Sequence, residues 1–436
     1  MTGRAIAAAQ FFLAAVLAVQ ALAAESGALR AGAAQIDITP APDEFPYLAA
    51  GERPYVGVHD PVFARALVLD DGTSEVAIVV IDVTMIPMPR ELSKAVAQEL
   101  QIPEANLLLA ATHTHNVPLV SYHGGDPNAQ QTREIERVRR GALEAVHQAK
   151  AKLLPARVAF ARGEAFVNIN NGEQAGLKNA ADPHGPSDKS LDVLEVQSAE
   201  GAPMALLVDY ATHAEVMFRS VTRGEGYEVS GDLPGAVAHL IENQSANAPV
   251  VLFASSAGAD QLPLFKSLQP AGRLPGGDEG PAGWALLDAQ ARRLATSLLD
   301  VVASIPEAAA QVTLRAASKT VTCPGQHLRP NRETGTVDVE QKPPVQIPLG
   351  VIRINNIVLG SVAGDVASEI GEKFKGASAL PDSTMITMTA GSVGYILGDA
   401  SYLHPGHGAM GSQLKPGCAE HALVQGLLDL IHDEFR

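Results

Sequence analysis

A short apolar run that stops at a polar or ionisable residue, with small turn-forming residues after it, recurs along this chain. Val76 to Ile81 ends in Asp82, Leu107 to Ala111 in His113 and His115, and Leu206 to Tyr210 in His213. Val251 to Ala254 leads to Ser255, Ser256 and Asp260, Ile357 to Val362 to Gly364 and Asp365, and Met385 to Thr389 to Gly394 and Tyr395. Runs such as Val76 to Ile81, apolar on both faces, suit strands that helices cover on both sides. In open α/β sheets the loops at the carboxyl ends of strands converge on one crevice, where ligands bind. The pattern predicts a layered α/β fold: a mixed, largely buried β-sheet core, covering helices, and a polar site at the carboxyl ends of the strands.

The remaining signals fill in that outline. Ala64 to Thr84 reads as a hairpin turning at Asp70-Asp71-Gly72. Pro89 to Leu100 and Gln131 to Leu153 carry apolar residues at helical spacing, and Trp284 to Val302 reads as a core-facing helix. Ser230 to Glu242 reads as a helix start with Pro234 in its first turn. Further strands are expected at Met204 to Tyr210, Pro249 to Ala254, Ile352 to Val362 and Thr384 to Thr389. Asn168 to Lys189 reads as an irregular loop, and Pro270 to Gly283 and Thr334 to Pro348 as excursions from one domain. Arg4 followed by the apolar run Phe11 to Val19 and by Ala21-Leu22-Ala23 has the layout of a secretory signal peptide, so residues 1 to 24 are expected to be removed and the protein exported, to the periplasm or beyond. No later segment is long and apolar enough to span a bilayer. A net charge of −16 argues against nucleic acid or an anionic membrane surface as partner. Cys323 and Cys418 are the only cysteines; in an oxidising compartment they pair or stay as buried thiols, and their spacing leaves both open.

Two imidazoles one residue apart invite a metal ion but do not complete a site, since zinc needs three or four ligands. The other strand ends supply the missing donors. Two imidazoles, a carboxylate and a phenolate suit zinc, with iron and manganese as alternatives. Zinc lowers the pKa of water to about 7 and polarises a carbonyl, which is what hydrolysis of an unactivated amide or ester requires. Ser255 and Ser256 lack the Gly-x-Ser-x-Gly context of a serine hydrolase.

At this level of detail the chain resembles the neutral/alkaline non-lysosomal ceramidases. The resemblance rests on GAAQIDITP, GVHDPVFARALVLDDG with Asp82, ATHTHNVP, DYATHAEVM, SGDLPGAVAHLIE, SSAGADQLP, VAGD and GSVGY, in the family's order. It implies zinc ligands at His113, His213, Asp365 and Tyr395, with His115 beside the metal assisting proton transfer and Asp260 as a second catalytic candidate. It also implies a small-molecule or lipid-like N-acyl substrate whose amide is cleaved through a metal-activated water. The chain departs from the family in several places. Leu262 stands where ceramidases carry a serine, and Asp365 where they carry a glutamate. An Asn-Arg pair of the family's substrate loop is not evident in Asn168 to Gly172, and a Tyr-Glu pair is replaced near His407-Gly408. The expected organisation is a single catalytic domain over residues 25–436, without the carboxyl-terminal sandwich domain of true ceramidases. A binding protein that keeps the metal without turnover, and a metal-dependent esterase or lactonase, are the alternatives these departures leave open.

Overall fold

The apolar runs build an eight-stranded and a four-stranded sheet, beside smaller two-stranded pairings, in the computed structural model, which describes residues 27–47, 53–118, 127–177, 180–244, 247–267, 278–331, 334–389 and 391–433. The larger sheet contains β1 (Arg30–Asp37), β2 (Phe63–Asp70), β3 (Glu75–Ile81), β4 (Leu107–Ala111), β5 (Leu154–Glu164), β6 (Ser190–Ser198), β7 (Pro203–Tyr210) and β8 (Val250–Ser255). Their spatial order is β8-β7-β6-β5-β1-β2-β3-β4. The smaller sheet holds β9 (Leu314–Pro330), β10 (Val337–Ile354), β11 (Ile357–Val362) and β12 (Asp382–Ile386), in that order. The covering helices are α1 (Pro89–Leu100), α2 (Ala129–Ala151), α3 (Asp232–Glu242), α4 (Gly283–Ala303), α5 (Ser368–Ala377) and α6 (Ala419–Asp433). The expected leader and most of the Pro270 to Gly283 excursion lie outside the described residues.

Side-chain alternation explains the layering. In β3, Ala77, Val79 and Ile81 face Leu92, Val96 and Leu100 of α1 and Val138, Ala142 and Val146 of α2. Val76, Ile78 and Val80 point the other way, into an inner cluster shared with Leu194 of β6, Leu207 of β7 and Leu252 of β8. The eight-stranded sheet therefore folds over on itself, and Ile352, Ile354, Leu359 and Ile386 of the smaller sheet join the same inner cluster. Leu233 and Val237 of α3, with Leu287 and Leu294 of α4, cover the outer face of β6 to β8. Ile370 and Phe374 of α5 and Leu423 and Leu427 of α6 cover β10 to β12.

The hairpin turns where predicted. Gly72 takes a φ of 83°, and Asp71 Oδ1 accepts the N–H groups of Thr73 and Ser74. Two expectations change. Ile352 to Val362 is not one strand but the junction of β10 and β11, which Asn355 reverses at a φ of 54°. Most of the Thr334 to Pro348 excursion is the strand β10, paired with β9 along a long hairpin. Its exposed polar faces and the Pro343-Pro344 pair read as loop, yet those prolines fall where the ladder with β9 shifts register, a position that needs no donated hydrogen bond. Cys323 of β9 pairs with Cys418, just before α6.

This topology sets where the site forms. β3 and β4 run parallel, as do β7 and β8, and β11 and β12. Single bridges join Ala110 to Thr389 and Ser256 to Ile386, so the carboxyl ends of β4, β8 and β12 meet.

Candidate metal centre

β4 stops at Ala111, and the chain then does something the alternation of an extended strand does not predict. His113 adopts a φ of 62°, in the left-handed region that few residues other than glycine enter. His113 and His115 still face the same space, but through this kink and not through simple alternation. Their rings meet edge to face at 4.7 Å and their Nε2 atoms lie 3.3 Å apart. After the kink, Thr114 bridges Ala214 and the His115 N–H donates to the Ala214 carbonyl, which brings the segment after β4 alongside the segment after β7.

Both ring orientations are fixed from behind. His113 Nδ1 lies 2.7 Å from the Thr84 carbonyl, and His213 Nδ1 lies 3.0 Å from Gly258 O and 3.2 Å from Gln261 O. A carbonyl only accepts, so each Nδ1 carries a proton and each ring turns its Nε2 inward. A side chain at Gly258 would meet the Thr212 backbone nitrogen at 2.9 Å, so only glycine lets that carbonyl come so close. Backbone partners of this kind are the usual support of metal-ligating histidines.

The inward atoms converge on Asp365. Its Oδ2 lies 3.2 Å from His213 Nε2 and 3.7 Å from His113 Nε2. Ligand atoms about 2.0–2.1 Å from a tetrahedral zinc ion sit about 3.3 Å from one another, so these separations fit such an ion. His113, His115 and His213 each offer a nitrogen within 4.8 Å of the others. The charges point the same way. Burial works against a charged His213, but Asp365 outweighs it and pushes the ring up to about 10. Burial also opposes the Asp365 charge, yet His213 and His113 hold that carboxylate well below the usual range. A buried anion ringed by imidazoles thus demands a positive charge among them. His115 is pushed well below the ordinary histidine value, first by burial and then by His113 and His213.

The remaining candidates divide. Asp365 and Val366 pair with Tyr395 and Ile396 in a short parallel bridge, which sets the Tyr395 ring 6.4 Å from His213 and 5.7 Å from His407. Asp260 lies behind the site. Its carboxylate accepts from the N–H and hydroxyl of Ser368 at the start of α5 and from Asn170 Nδ2, while its neighbours Gly258 and Gln261 hold His213. Burial pushes it up to about 6 against those hydrogen bonds. Leu262 is buried in a short strand, Gln261–Pro263, paired with Asn168–Asn170. Asp82 is not part of the site; it binds Arg65 at 2.8 Å. Ser255 is taken up by Thr387, whose N–H donates to its carbonyl. Sequence reasoning missed the supporting groups Thr84 and Gly258, which act through backbone carbonyls that carry no residue-type signal.

Comparison with known proteins follows the same lines. The profile of the neutral/alkaline non-lysosomal ceramidases, N-terminal region, matches residues 29–263. Neutral ceramidase B of Dictyostelium discoideum is 28% identical over 232 residues, covering 49% of this chain and 31% of that protein. The neutral ceramidase of Drosophila melanogaster is 27% identical over 242 residues, covering 50% and 33%. The match thus spans about a third of the length of these relatives. Among solved structures, a ceramidase complexed with C2 superposes with a TM-score of 0.73 at 16% identity, covering 94% of this chain and 76% of that one. The neutral ceramidase from Pseudomonas aeruginosa gives 0.71 at 18% identity, covering 93% and 74%. At these identities the likeness establishes a shared fold.

Proposed function

The chain belongs to the neutral/alkaline non-lysosomal ceramidase family, and from that premise we propose that it is an exported, zinc-dependent hydrolase of the amide bond in a ceramide-like or other N-acylated substrate. The observation that carries the reading is the convergence of His113 Nε2, His213 Nε2 and Asp365 Oδ2 at spacings suited to a tetrahedral ion.

His113, His213 and Asp365 would hold the zinc, with Tyr395 beside them as the fourth donor. Bound zinc supplies Lewis acidity to a water and to the amide carbonyl. The chain's own residues do the rest. The Thr84 and Gly258 carbonyls hold the Nδ1 protons and so keep both Nε2 atoms aimed inward. His115, half-buried beside His113, is placed to take a proton from the attacking water and return it to the leaving amine. Asp260 acts as a positioning residue, holding the Gly258–Gln261 loop against α5.

Export is supported by the amino-terminal leader pattern and by the Cys323–Cys418 disulfide, which suits an oxidising compartment. Residues 25–436 are read as one catalytic unit, supported by the inner cluster that joins residues from Leu29 to Ile386. Among the described residues no helix is long and apolar enough to cross a membrane.

The test is zinc analysis of purified protein alongside a panel of N-acyl amides and matched esters. Amide turnover that a chelator abolishes and zinc restores is expected. Zinc-loaded protein that hydrolyses no member of the panel would overturn the hydrolase reading, and turnover of esters alone would overturn the amide.

A further inference from the structure

Asp232 does far more than open α3. It is fully buried and takes a φ of 49°, a strained setting for a residue other than glycine. Its Oδ1 accepts from the N–H groups of Val216 and Leu233, at 3.0 and 2.8 Å. Its Oδ2 accepts from the Met217 N–H at 2.9 Å and from Asn116 Nδ2 at 2.6 Å. One carboxylate therefore ties the residue that follows His115 to the turn that follows His213.

The same turn is held from its other side. Lys266, only 2% exposed, donates from Nζ to the carbonyls of Glu215 at 2.8 Å and Phe218 at 3.0 Å. The turn from Glu215 to Phe218 thus has N–H groups on a buried carboxylate and C=O groups on a buried ammonium. Phe218, at its end, meets the His115 ring edge to face at 5.1 Å. Burying two charges to hold four residues is costly unless both are satisfied, and a turn fixed this firmly suits a site that tolerates little misplacement.

We propose that Asp232 and Lys266 form a two-sided clamp on the Glu215–Phe218 turn that positions the metal centre. Asp232 sets the separation of the two histidine arms, and Lys266 sets His115 through Phe218. Both are positioning residues, and their metal role rests on the zinc reading above. The division follows from the contacts. Asp232 reaches both arms, so its loss moves His213 relative to His113. Among the described residues Lys266 donates hydrogen bonds only to the carbonyls of that turn, so its loss is expected to act on His115 through Phe218 more than on the ligands.

The experiment compares Asp232→Asn, the milder Asn116→Ala, and Lys266→Met in the full chain. It reads zinc affinity by competition with a chromophoric chelator, kcat and KM on an amide that the parent hydrolyses, and imidazole resonances of the zinc-free protein by NMR. Asp232→Asn is expected to weaken zinc about 10- to 100-fold, the usual effect of removing support behind a ligand, and Asn116→Ala to weaken it less. Lys266→Met is expected to keep zinc affinity within about threefold while kcat falls about tenfold at unchanged KM, as for a displaced proton-transfer group. Folded Asp232→Asn with parental zinc affinity would overturn the clamp. So would Asn116→Ala with parental affinity should Asp232→Asn fail to fold, or Lys266→Met losing zinc as severely as Asp232→Asn. A parent that binds no zinc sinks the metal reading instead; the clamp then stands if the variants shift the His213 and His115 resonances and falls if those resonances do not move.

Discussion

Two buried acids, both placed by apolar runs that end in polar residues, have opposite fates in this molecule. Asp82, after β3, lies against Arg65, which also binds Glu242 at 2.9 Å. Asp365, after β11, has His113 and His213 as its charge partners. A guanidinium never gives up its proton, so the first cluster carries its own cation permanently. Imidazoles are positive only when protonated, so the second holds a cation only by capturing a proton or a metal ion. The first arrangement is structural and the second can be loaded and unloaded.

Removing the Asp365 charge attacks that distinction most directly. Asp365→Asn is expected to lose zinc and all measurable turnover while the fold is kept, because the neutral side chain no longer competes with solvent for the ion; retained stoichiometric zinc by metal analysis would show that the histidines suffice. The two members of the histidine pair should then separate. His113→Ala is expected to lose zinc, whereas His115→Ala should keep it and slow turnover by about 10²- to 10⁴-fold. Equal metal loss in both would make His115 a ligand and leave the proton transfers to another group.

The structural cluster should respond in the opposite sense. Arg65→Met leaves Asp82 and Glu242 buried without their partner, so a loss of about 3–5 kcal/mol in chemical denaturation is expected, with zinc content per folded molecule unchanged. A fall in zinc content alongside normal stability would erase the contrast.

A third buried acid extends the comparison with a smaller, graded effect. Among the described residues Asp209 of β7 makes no direct bond to a guanidinium or an imidazole; Thr384 donates to its Oδ2, and Asp192 lies opposite it on β6. Burial, reinforced by Asp192, pushes it up to about 8. The folded protein then keeps a proton that the unfolded chain releases near pH 4. Its contribution to stability is complete below that pH and is lost as pH rises towards about 8, at up to about 1.4 kcal/mol per unit. Asp209→Asn should flatten that slope between pH 5 and pH 8 in denaturation curves measured across about that range; an unchanged slope would mean that another group carries it.

Much of this was legible in the sequence because it depends on local patterns. Apolar residues on both faces of Val76 to Ile81 require cover on both sides, and helical spacing in Pro89 to Leu100 supplies one cover, as the structure has it. His113, His213 and Asp365 stood out because strand ends in such folds collect ligands and because the motifs resemble a known family. The long hairpin was misread since an exposed strand interrupted by two prolines has the composition of a loop. Tertiary structure alone decided which strand-end acid meets an internal cation. Arg65 and Glu242 lie far apart in sequence, and only the folding of the sheet brings both to one place. It also decided the left-handed turn at His113 and the two-sided hold on the Glu215–Phe218 turn. Those features arise from hydrogen bonds to backbone groups, which every residue carries and no residue type announces.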